Sequence, residues 1–195
     1  RRGFGSQWWD IRARPGPQTA LELTRVSPDG EQGYPGRVNV RVVYTLTEAD
    51  EWRIDYEATC DHPTVLNLTH HDYFNLDNGG SAEGHLLQIH ASRFCEVDAA
   101  LIPASIAEVA GTPFDFRTLM RVGDRVRESH PQLVRAHGYD HNWVLDAEPD
   151  DRGLRQAIRL FSPATGRAMD IHTTEPGLQF YSGNFLDGSL VGSGG

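Results

Sequence analysis

Two neighbouring stretches of this chain alternate in polarity residue by residue, and that alternation narrows the folds open to it. In "VNVRVVYTLT", Val38, Val40, Val42, Tyr44 and Leu46 fall on one side, with Asn39, Arg41, Val43, Thr45 and Thr47 on the other. "EWRIDYEAT" repeats the pattern, setting Trp52, Ile54, Tyr56 and Ala58 against Arg53, Asp55, Glu57 and Thr59. A period of two marks a half-buried strand, because successive side chains leave opposite faces of a pleated backbone. Only "EAD", Glu48 to Asp50, lies between the two, which is a hairpin-length connection. Upstream, "ALELTRV" predicts another strand, ended by "SPDG" with Pro28 and Gly30 at favoured turn positions.

Further along, "LLQIHA", "HNWVLD", "LRQAIRLF", "AMDIHTT" and "LQFYS" are short, rich in apolar residues and bounded by Gly, Pro or Asp. Helical periodicity is scarce, and only "FDFRTLMRVGDRV" has room for a turn or two of helix. Many short strands punctuated by Gly and Pro predict an all-β sandwich or barrel. No internal repeat, low-complexity tract or linker divides residues 1–195, which read as one domain. Paired Trp8 and Trp9 near the start and the small-residue run "GSLVGSGG" at the end both read as cut edges.

Lys and Arg total 18 against 27 Asp and Glu, a formal charge of −9. That balance argues against a nucleic-acid partner, whose phosphates need a basic face, and favours a neutral small molecule. Cys60 and Cys95 are the only cysteines, with no spacing that suggests a disulfide framework or a zinc site. No apolar run approaches membrane-spanning length, and "RRGFGSQWWDI" lacks the apolar centre of a signal peptide. The expected location is the cytoplasm, with no membrane contact; the oligomeric state is not legible.

The residues with chemical potential cluster in three places. "NLTHHDYFNL" puts His70 and His71 side by side in a run that reads as strand, so the two imidazoles should face opposite ways and not share a metal. The other seven histidines show no HExxH or similar spacing, so neither a metal nor another cofactor is expected. One histidine of the pair suits proton transfer, since its ordinary pKa lies near physiological pH; a hydrogen-bonded structural role fits equally well. In "HGYDHNWVLD", Asp140 either turns the chain into the strand or accepts hydrogen bonds from a polyol. In "HTTEPGLQFYSGNFLDGS", Gln179 shares a face with Tyr181, and its amide both donates to and accepts from hydroxyls. Glu175 reads as a general base or as a solvated turn residue. Ser6 and Ser182 lack the Gly-x-Ser-x-Gly setting of a serine hydrolase.

Taken together, these segments resemble the aldose 1-epimerases, the galactose mutarotase family. The likeness rests on "SPDGEQGYPGRVNVRVVYTLTEADEWRIDYEATCDHPTVLNLTHHDYFNL", then "AGTPFDFR", "GYDHNWVLD" and "TTEPGLQFYSGNFLDG", in the family's order. It implies a β-sandwich (supersandwich) fold, here expected to be incomplete at both ends, and a free hexose such as glucose or galactose as substrate. It also implies a mechanism: a glutamate base takes the proton of the anomeric hydroxyl while a histidine acid protonates the ring oxygen, and the opened ring closes on the other face of the exposed aldehyde. By motif, His71 takes the acid's position, Asp140 and Gln179 those of the sugar-binding pair, and His70 and Tyr73 stand behind them as supporting residues. His70 occupies a place that is usually Asn, and Gly5 one that is usually Asp. The resemblance moves the base away from Glu175, to a Leu-Glu-Thr-Gln segment expected beyond Gly195. A Leu-His-Gly-Gly segment with a second sugar-binding histidine is expected before "GFGSQWWDI". Two rivals remain: a hexose-6-phosphate 1-epimerase relative, which needs converging arginines such as Arg117, Arg121 and Arg135, and a non-catalytic sugar-binding domain.

Overall fold

The computed structural model describes residues 3–146 and 148–189. The chain forms two compact units, Arg1–Asp72 and Tyr73–Gly195.

The first unit is built on one antiparallel sheet in chain order, β1 (Asp10–Arg14), β2 (Thr19–Ser27), β3 (Val38–Leu46) and β4 (Trp52–Cys60). The β3–β4 hairpin is the expected one, in register from Val38 opposite Cys60 to Leu46 opposite Trp52. Thr47 N–H donates to the Glu51 carbonyl at 3.0 Å, and Asp50 takes the left-handed conformation (φ 58°) that closes the turn. Val38, Val40 and Val42 form a buried stripe with Phe4, Trp9, Leu23, Tyr44, Ile54 and Leu68 against it.

The alternation is less clean than the sequence suggests: Val43 and Thr45, on the supposedly wet side, are also buried, while Leu46 is exposed. The reason is cover by long side chains. Val43 lies between Glu22 and Asp55, and Thr45 opposite Arg53. Beside them Arg41 reaches both Glu22 (2.8 Å) and Glu57 (2.9 Å). Stems of charged residues laid along a sheet exclude water as apolar side chains do.

The second unit is a sandwich of two four-stranded antiparallel sheets. One has the order β11 (Ala168–Thr173), β10 (Arg155–Phe161), β5 (Leu86–Ile89), β8 (Met120–Arg121). The other has the order β12 (Gly177–Tyr181), β9 (Asp140–Val144), β6 (Arg93–Val97), β7 (Pro103–Glu108). Leu87, Ile89, Ala157 and Ile158 of the first sheet share one core with Phe94 and Trp143 of the second. Phe114 stacks on Phe94 at 4.1 Å between ring centroids, and the Trp143 indole donates to the Phe114 carbonyl at 3.1 Å. Rings of this size each contribute a few kcal/mol, about 1.5–3, when taken fully out of water. The all-β sandwich expectation therefore holds.

Local departures have local causes. The stretch "FDFRTLMRVGDRV" yields only the short β8 and a three-residue 3-10 turn, Val122–Asp124. The α-helix is instead α1 (Pro131–Ala136), which the sequence reading missed. Six residues are too few to show helical periodicity, but its punctuation is in order. His130 caps it by accepting from Gln132 N–H, Pro131 sits in its first turn, and His137 ends it in the left-handed conformation (φ 58°). The run "NLTHHDYFNL" is not a strand; residues 63–76 carry no regular structure. Side chains there take up hydrogen bonds in place of a sheet ladder. His70 bonds Asp72, Asn75 donates to the Gly80 carbonyl (3.0 Å), and Asn75 also accepts from Asp77 N–H (3.0 Å).

Candidate active site

Strands β9 and β12 pair with Asp140 opposite Tyr181, His141 opposite Phe180, Asn142 opposite Gln179 and Trp143 opposite Leu178. Residues paired across antiparallel strands share a face, and neighbours along a strand do not. His141, Trp143, Leu178 and Phe180 therefore point into the core, and Asp140, Asn142, Gln179 and Tyr181 point out of it. On that outer face the Gln179 side-chain amide donates to Asp140 Oδ1 at 2.9 Å. The bond uses one of two amide hydrogens and one of two carboxylate oxygens, and the capacity that remains suits a hydroxyl, both donor and acceptor. Aromatic rings border the pair: Tyr181 meets Tyr73 edge-on at 6.1 Å and stacks with Phe185 at 6.4 Å, and its hydroxyl accepts from Phe185 N–H at 2.7 Å.

Behind this face the core is fixed by a buried imidazole. His141 Nδ1 accepts from the Asp140 backbone N–H at 3.1 Å, so its proton sits on Nε2, which donates to Gln132 Oε1 at 3.2 Å. Gln132 in turn clamps Val97 on β6, accepting from its N–H (2.9 Å) and donating to its carbonyl (3.2 Å). Burial pushes the His141 pKa down to about 4, with the His130 charge acting the same way and the Asp140 carboxylate opposing. His141 is thus neutral near pH 7 and serves the framework. Tyr139, also buried, donates to the Pro113 carbonyl at 2.9 Å, and burial raises its hydroxyl well above the ordinary phenol range.

Of the predicted residues, the structure joins Asp140 to Gln179 and puts Tyr73 against Tyr181, all in the second unit. The histidine pair belongs to the first unit. His70 is half-buried, edge-on to Trp52 (5.0 Å) and Tyr44 (5.5 Å), with its Nε2 2.5 Å from Asp72. His71 is exposed. Glu175 is an exposed residue of the turn before β12, its N–H held by Thr173 Oγ1 at 3.1 Å. The three arginines that a sugar phosphate would need are occupied separately: Arg117 by Asp115, Arg121 by the Gly84 carbonyl and Arg135 by the Val97 carbonyl. Among the described residues no group of three His, Cys, Asp or Glu side chains is placed to hold a metal ion. Cys60 and Cys95 are free thiols. No helix among the described residues is long and apolar enough to cross a membrane.

The sequence reading weighed Ser182 only as a nucleophile and left Asn184 unremarked, yet both fold back from the end of β12 onto Tyr139, the residue before Asp140. The only hint was a Ser-Gly-Asn turn directly after "QFY".

Comparison with known proteins settles the class: residues 2–194 match the aldose 1-epimerase family model, and the chain belongs to that family. It is 41% identical to galactose mutarotase of Bos taurus over 197 residues, covering all of this chain and 54% of that protein. It is 39% identical to aldose 1-epimerase of Escherichia coli strain K12 over 189 residues, 96% of this chain and 53% of that one. Among solved structures, galactose 1-epimerase from Lactobacillus acidophilus superposes with a TM-score of 0.83 at 33% identity, covering 92% of this chain and 52% of the other. The chain spans about half the length of the curated relatives it matches.

Proposed function

We propose that the protein is an aldose 1-epimerase that interconverts the α and β anomers of free hexoses such as glucose and galactose. The observation that carries this reading is the Asp140–Gln179 pair, joined at 2.9 Å on an outward strand face and bordered by Tyr181. A carboxylate bonded to a neutral amide offers paired acceptors and a donor to adjacent sugar hydroxyls. Its apolar surroundings suit the C–H faces of the ring, and nothing in the arrangement demands a charged substrate. In this reading Asp140 and Gln179 hold hydroxyls, and His71 gives a proton to the ring oxygen while a base takes the proton of the anomeric hydroxyl, so that the bond between the anomeric carbon and the ring oxygen breaks and an aldehyde forms. His70 and Tyr73 support the site without contacting the reacting atoms. Proton transfers and the breaking and remaking of one C–O bond leave the oxidation level of the sugar unchanged, so the reaction needs no redox cofactor. Two free thiols suit a reducing compartment, and a cytoplasmic location belongs to the proposal. The test is polarimetry of the intact protein with freshly dissolved α-D-galactose and α-D-glucose. Mutarotation should run well above the buffer rate with at least one of them. Equal rates with and without protein, for both sugars, would refute the reading.

A further inference from the structure

We infer that Asn184 and Ser182 are positioning residues for the sugar-binding pair, acting through the backbone that carries Asp140; this rests on the function proposed above. The Asn184 amide donates to two carbonyls, those of Ala136 and Tyr139, each at 2.9 Å. Both of its hydrogens are therefore spent on backbone. Its Oδ1 accepts from the Ser182 hydroxyl at 2.5 Å, and that hydroxyl accepts from Tyr139 N–H at 3.0 Å. Ser182 N–H closes the set by donating to the Tyr139 carbonyl at 3.0 Å. Both polar groups of the Tyr139 backbone are thus held by the segment 182–184.

The placement gives this network a purpose beyond stability. Ala136 is the last residue of α1 and Asp140 the first of β9, so the anchored carbonyls bracket the turn that launches β9. Ser182 directly follows Tyr181, the last residue of β12, the strand that carries Gln179. One short segment therefore fixes the start of one anchor's strand to the end of the other's. The fit is close: Gly138 is at φ 141°, and a Cβ there would collide with the Asn184 side-chain oxygen. The turn after α1 has a backbone bond of its own, from Gly138 N–H to the Leu133 carbonyl at 2.9 Å, and the segment 182–184 adds the bonds that hold Tyr139, next to Asp140.

The experiment is a double-mutant cycle in the intact protein. Asn184→Ala should lower kcat/KM by about 10- to 100-fold, as expected when a binding group is displaced by something near 1 Å. Most of the loss should appear in KM. In an Asp140→Ala background the same substitution should cost less than about 3-fold, because interacting sites are not additive. An equal loss in both backgrounds would mean a general structural role and overturn the inference. A second readout does not need turnover: the Gln179 side-chain amide signal in 1H–15N spectra should shift in Asn184→Ala while core signals such as the Trp143 indole stay in place. An unmoved Gln179 signal overturns the inference whether or not the protein is an epimerase. Absence of mutarotation in the unmutated protein, with the Gln179 signal still shifting, sinks the functional reading and leaves the positioning network standing. If Asn184→Ala does not fold, Ser182→Ala is the milder variant and should show the same two signatures.

Discussion

Acidification should loosen the second unit through one side chain, His141. It is fully buried, its Nδ1 already accepts a hydrogen bond from Asp140 N–H, and its Nε2 proton is committed to Gln132. A second proton would place a charge in the core and set two donors, Nδ1–H and Asp140 N–H, against each other. The folded-state pKa near 4 lies below the ordinary value of 6.5. The unfolded chain therefore binds the extra proton first as pH falls, and the folded state loses ground between those two values. The stabilising contribution is complete above about pH 6.5 and gone below about pH 4; integrated over that window it amounts to about 3 kcal/mol. Between pH 7 and pH 4.5 the loss should be roughly 2 kcal/mol. Urea unfolding followed by the Trp143 indole NMR signal reports this unit alone. The comparison is with His141→Asn, whose side-chain oxygen can still accept from Asp140 N–H but does not titrate. The variant should be less stable at pH 7, because Gln132 loses a partner, yet its further loss on acidification should be smaller by that same amount. Parallel losses in the two proteins would refute the reasoning.

The site makes other demands. His71→Asn should lower kcat by roughly 10²- to 10⁴-fold, the usual contribution of a positioned acid, while His70→Asn should leave kcat within a few-fold; equal losses in polarimetric mutarotation would reverse the assigned roles. Asp140→Ala should cost about 1.5–3 kcal/mol in kcat/KM, the range for a hydrogen bond to a charged group, and Gln179→Ala less; a Gln179 effect larger than that of Asp140 would contradict the carboxylate as main anchor. Treatment with EDTA should leave the rate unchanged, and a rate abolished by EDTA and restored by zinc would show that a metal takes part.

How much of this was legible in the sequence depended on what kind of interaction fixed each element. Strands β3 and β4 carry their signal in period-two alternation, and they pair as the expected hairpin. Asp140 and Gln179 were readable as a pair only through the family resemblance, since they lie 39 positions apart and meet by strand pairing. Two kinds of element escaped. The helix α1 is shorter than the stretch over which helical periodicity can be read, and it is held by Gln132, Leu133 and Ala136 packing inward. The segment around His70 and His71 has strand-like composition but is governed by bonds among its own side chains, such as His70 to Asp72. Similarly, His141 looked like one more scattered histidine; only burial shows it to be part of the framework behind Asp140.

The strict in–out alternation along β9 and β12 also shapes how this protein can change over evolutionary time. Positions 140, 142, 179 and 181 can be rewritten singly, each exchange altering what the outer face recognises while Trp143 and Phe180 go on filling the interior. If the proposed function holds, a new sugar preference is thus reachable by point substitution through folded intermediates. Gain or loss of a single residue within either strand is another matter: it would turn His141 and Trp143 outward and drive a carboxylate into the core. Lineages descending from this chain should therefore vary in residue identity along these two strands and hardly at all in their length, with insertions and deletions confined to loops outside them.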